Sequence, residues 1–100
     1  MRKPVKEVAI VPRYLIHRTF PGGLAIPANP AGAEACSQVV ETNDTLGVTW
    51  LHSYVTKDKE TTFCIYDGPS PDAIRLAAER NGLPIDHITE VSVLDPHFFI

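Results

Sequence analysis

The order of strand and helix signals along this chain, β-α-β-β-α-β, predicts an α+β sandwich: an antiparallel sheet with two helices on one face. Three observations carry that expectation. Four runs rich in β-branched and aromatic residues are each closed by Gly, Pro or Asp. Two stretches open with a capping residue followed by proline, Asn29-Pro30 and Ser70-Pro71. The second and third β-rich runs are separated only by the polar segment Thr56 to Glu60, as in a hairpin.

The first strand is Arg13 to Phe20, ended by Pro21-Gly22-Gly23. Pro27, Asn29 and Pro30 form a loop that leads into helix one, Ala31 to about Asn43, with Cys36, Val39 and Val40 at helical spacing. Strands two and three are Val48 to Val55 and Thr61 to Asp67. Helix two runs from Pro71 to about Arg80, with Ile74, Ala77 and Ala78 on one stripe and Asn81-Gly82 as a left-handed stop. Ile88 to Leu94 is the fourth strand, closed by Asp95-Pro96. This is the split βαβ arrangement of ferredoxin-like domains, with spatial strand order 4-1-3-2 and one sheet face left bare. Residues 12–100 make that domain and residues 1–11 an N-terminal extension. The apolar tail Phe98-Phe99-Ile100 is expected to dock on a partner or to extend a strand.

Length and composition set the class. One hundred residues hold one core, and a domain of this size gains from covering an apolar face with a second copy, so a homodimer is expected. Hydrophobic residues at 44% and charged residues at 21% are those of a globular chain. A net charge of −3 without a Lys/Arg cluster argues against nucleic acid as a partner. The run Val8 to Val11 is too short for a signal segment, and no run is long enough to span a membrane, which points to the cytoplasm. Cys36 and Cys64 are accordingly expected to stay reduced, Cys36 as part of the core.

Side chains alternate across a strand, so the chemistry depends on which residues leave the helix-covered side. Placing the apolar pair Phe63 and Ile65 on the core, with Tyr14, Ile16, Phe20, Leu51 and Val55, leaves Leu15, His17, Thr19, Trp50, His52, Tyr54, Thr62, Cys64 and Tyr66 on the open face. A three-residue loop at Lys57 to Lys59 would then set His52 opposite Cys64, with His17 on the next strand. His17, Cys64 and His52 would form one row, two imidazoles and a thiolate, a donor set for nickel, zinc or copper. Plainer readings stand beside it: Cys64 as a small buried hydrophobe, His52 as a surface histidine, His87 and His97 as solvated, and Trp50, Tyr54 and Tyr66 as interface filling.

The runs Tyr14 to Phe20, Val48 to Thr56, Thr62 to Ser70 and Asn81 to Val91 resemble a family of small bacterial proteins formerly catalogued as a domain of unknown function and now named nickel-binding protein. The most distinctive parts are Trp50 to Val55 and Phe63-Cys64. The resemblance implies a ferredoxin-like homodimer that holds nickel near the dimer surface for sequestration, with His52 and Cys64 as the transferable positions. Asn81 stands where some members carry a His. Two other readings remain open: a small dimeric α+β barrel enzyme or ligand-binding protein using His52 and Cys64, and a dimeric interaction module without metal.

Overall fold

The computed structural model describes residues 11–26 and 29–99, and of 98 and 99 the backbone alone. Residues 1–10, Pro27, Ala28 and Ile100 lie outside the described residues. Six elements follow the predicted order: β1 Arg13–Thr19, α1 Pro30–Asp44, β2 Thr49–Val55, β3 Thr61–Asp67, α2 Pro71–Asn81 and β4 His87–Val91. A short 3-10 turn, Pro96–Phe99, follows them. The sheet is antiparallel throughout, in the order β2-β3-β1-β4, which is the expected 4-1-3-2 read from the other edge.

Local chemistry accounts for the helix ends. The Asn29 side chain accepts from the amides of Ala31 at 3.0 Å and Gly32 at 3.3 Å, and Pro30 occupies a position where an N–H would be unused. Ser70 does the same for α2, accepting from the Ala73 amide at 3.2 Å. Gly82 closes α2 in the left-handed region at φ 68°, donating to the carbonyls of Ala78 and Glu79. A Cβ at Gly82 would meet nothing within 4 Å, so the only penalty of a side chain there is backbone strain. Gly82→Ala should therefore lower stability by about 1 kcal/mol in denaturant unfolding, with the fold unchanged.

Two boundaries depart from expectation. β4 stops at Val91 instead of running to Leu94, because Val91 pairs with Arg13 and the next residue of the neighbouring strand is Pro12, which has no N–H to continue the ladder. The tail turns as a 3-10 segment and does not extend a strand. Docking of the Phe98, Phe99 and Ile100 side chains falls outside the described residues.

The two helices pack on one face with unequal closeness. Ile74, Ala77 and Ala78 of α2 are buried, the first two in one cluster with Tyr14, Ile16, Tyr66 and Val48. Packing around Ile74 is tight, since a Cβ on Gly68 would come within 3.3 Å of its side chain. α1 buries only Gly32 and Asn43. Its apolar residues Cys36 and Val39 are half-buried, so Cys36 is less enclosed than a core position, and a gap remains between α1 and the sheet.

Candidate functional site: two faces of one sheet

Register decides which side chains share a face. β1 pairs with β3 so that Tyr14 lies opposite Tyr66, Ile16 opposite Cys64 and Arg18 opposite Thr62. All six are buried on the helix side. Once Ile16 faces the helices, Cys64 must face them too, and Phe63 and Ile65 turn to the open face. The expected phase of β3 is thus reversed: Thr62, Cys64 and Tyr66 belong to the covered side. Cys64 is 5% exposed, and its thiol donates to the Thr62 hydroxyl at 3.6 Å.

The hairpin explains the rest. Its loop has four residues, not three: the Thr56 amide donates to the Thr61 carbonyl at 3.0 Å, and Lys59 takes a positive φ of 64°. The Asp58 carboxylate ties this loop, accepting from the Glu60 amide at 2.9 Å and the Thr56 hydroxyl at 2.7 Å. These bonds, the Glu60 amide foremost, hold the Asp58 carboxyl below its ordinary pKa. The extra loop residue sets Ser53, not His52, opposite Cys64. A bulge at Leu51 then changes the phase again, so Trp50 pairs with Tyr66 on the helix side while His52 pairs with Ile65 on the open side. This placement of Trp50 departs from the open-face position that strand alternation predicts. Its indole N–H donates to Ser53 Oγ at 2.9 Å beneath α1.

The three expected ligands are therefore divided. His17 and His52 reach the open face, Cys64 lies on the other side, and Phe63 takes the place in the row where the thiol was expected. What the open face does assemble is a row across β4, β1 and β3. The His17 ring stacks between His87, with centroids 5.6 Å apart and planes 4° apart, and Phe63, at 5.2 Å and 10°. His17 Nδ1 lies 3.9 Å from Asp86 Oδ2, the oxygen that also accepts from the Thr19 hydroxyl. Farther along, Tyr54 pairs with Phe63 and meets His52 edge-on at 5.2 Å and 85°.

His87 is exposed, as its solvated reading expects, but it opens β4 one residue before the expected start and so joins this row. The signal that could have found it is antiparallel pairing of β4 with β1, which sets His87 opposite His17. His97 is exposed in the terminal turn, its amide donating to the Asp95 carboxylate at 2.9 Å.

The donors of the open face suit a borderline metal ion, since imidazole nitrogens with a carboxylate favour nickel, zinc or copper over calcium or magnesium. Ring lone pairs lie in the ring plane, however, and the parallel planes of His17 and His87 do not converge on one point. Among the described residues, no group of three His, Cys, Asp or Glu side chains could hold an ion. One chain offers the ligand types without closing the set.

On the helix side, the gap under α1 is a cavity of about 430 Å³. Cys36 and Val39 of α1 form its roof, and Trp50, Cys64 and Tyr66 its floor. Arg18, only 2% exposed, also lines it; its Nε donates to the Pro84 carbonyl at 2.8 Å and its guanidinium carbon lies 5.5 Å from the Tyr66 ring centroid. Burial pushes the Tyr66 phenol pKa up, and the nearby Arg18 charge opposes that rise. No helix among the described residues is long and apolar enough to cross a membrane.

The family model described as nickel responsive protein SCO4226-like matches residues 14–91. The crystal structure of SCO4226 from Streptomyces coelicolor A3(2) is similar in fold, with a TM-score of 0.67 and 19% identity over 83% of this chain and 99% of that one. No curated protein matches the sequence.

Proposed function

Because the chain belongs to the nickel responsive SCO4226-like family, we propose that it binds a divalent transition metal, nickel before zinc or copper, and holds it as cargo in sequestration. The observation that carries this reading is the imidazole pair His17 and His87, with Asp86 beside it, on the sheet face that none of the described helices covers. His52 supplies a third imidazole farther along the same face.

A ligand set left incomplete in one chain is completed most simply by a second copy, since a two-fold contact doubles every donor at the interface. The face has the character for such a contact. Phe63 and Tyr54 remain 36% and 63% exposed, and both adjoin the imidazoles. In the proposed dimer, the aromatic side chains exclude water while the imidazoles and Asp86 hold the ion.

Isothermal titration of metal-free protein with nickel, together with light scattering in chelator and in nickel, tests both parts. Saturable binding by a dimer is the expected result. A monomer that takes up no nickel overturns the reading. A dimer indifferent to metal and chelator removes the metal and leaves an interaction module.

A further inference from the structure

The cavity beneath α1 lies across the sheet from the imidazoles, and the metal reading makes no use of it. We propose that it is a binding site for a small organic carboxylate with an apolar body, anchored by Arg18. The reasoning starts from the cost of burying Arg18. A guanidinium out of water needs an anion or a full set of acceptors, and charges this enclosed are ordinarily paired. Arg18 has the Pro84 carbonyl on Nε and the Tyr66 ring nearby, but among the described residues no Asp or Glu forms an ion pair with it. A cation–π contact offsets part of the desolvation and leaves the charge uncompensated.

The rest of the lining narrows the ligand. Among the described residues it includes a second cation, Lys59, at the exposed hairpin loop, and no acidic residue. The hydroxyls of Ser53 and Thr62 already accept from Trp50 and Cys64, and the remaining walls are largely apolar. A volume of about 430 Å³ suits a compact molecule. An anionic head for the guanidinium fork and a hydrocarbon body for Trp50, Val39 and Cys64 describe a fatty acid of about ten carbons or an aryl-substituted acid. A more polar anion would leave the apolar walls unmatched.

Trp50 is the single tryptophan of the chain and lines the cavity, so its fluorescence reports occupancy directly. The full chain is titrated with decanoate and with decanol, which share a tail and differ in charge. Decanoate should bind saturably and at least about ten-fold more tightly than decanol. Arg18→Gln should bring decanoate down to the level of decanol while leaving decanol unchanged. Val39→Phe, which fills the cavity from α1, should weaken both. Equal affinity of the wild-type chain for the two, or no saturable response to either, overturns the proposal, and that comparison stands even if Arg18→Gln fails to fold.

Discussion

Ile16→Ala should destabilise the domain by about 3 kcal/mol, a fall in Tm on the order of 15 °C, in thermal and denaturant unfolding. Ile16 is fully buried at the centre of the sheet, opposite Cys64 on one side and Ile88 on the other. The loss combines the transfer energy of the missing carbons with a void that the strands on both sides cannot close. Phe63→Ala, on the open face of the next strand, removes a larger side chain that is 36% exposed. At low concentration it should cost about 1 kcal/mol, mostly its stacking on His17. If two copies share this face, that cost will grow with protein concentration, because the side chain is then buried only in the dimer. An Ile16→Ala effect no greater than that of Phe63→Ala would show the faces to be assigned the wrong way round.

The second large effect separates the imidazoles from the thiol. His17→Ala should weaken nickel binding at least about ten-fold, because it removes the ring between His87 and Phe63 and leaves Asp86 without its imidazole. Cys64→Ser should leave the titration unchanged, since that side chain lies on the covered face at 5% exposure. Competition with a chelating dye measures both. Loss of binding in Cys64→Ser with retention in His17→Ala would move the metal to the helix side and refute the open-face assignment. The same burial predicts that Cys64 reacts with a thiol reagent more slowly than the half-buried Cys36.

Much of the architecture is legible in local chemistry. Asn29-Pro30 and Ser70-Pro71 announce both helices, Asn81-Gly82 ends the second, and the order of the elements limits the sheet to the topology observed. The family is legible as well, from Trp50 to Val55 and Phe63-Cys64, and its match spans residues 14–91. The face of β1 also follows from sequence, since Tyr14 and Ile16 are buried as their alternation requires.

The faces of β2 and β3 are a different matter. Alternation establishes only that neighbours point apart, and in β3 the choice between Phe63 with Ile65 and Thr62, Cys64 with Tyr66 looks settled by hydrophobicity. The open face, however, holds aromatic and aliphatic side chains against imidazoles, so the apolar pair is at home there. In β2 one extra loop residue and one bulge at Leu51 each move the phase by one position: the first parts His52 from Cys64, the second parts Trp50 from His52.

The sequence by itself determined which segments become strands and helices, how they are ordered in the sheet, and which family they belong to, because caps, turn formers and periodicity act within a few residues. Only the tertiary structure decided that Cys64 lies beneath the helices, that His87 joins His17, and that Arg18 lines a cavity under α1. Those outcomes depend on inter-strand register and helix-to-sheet distance, which caps, turns and periodicity within one segment do not carry.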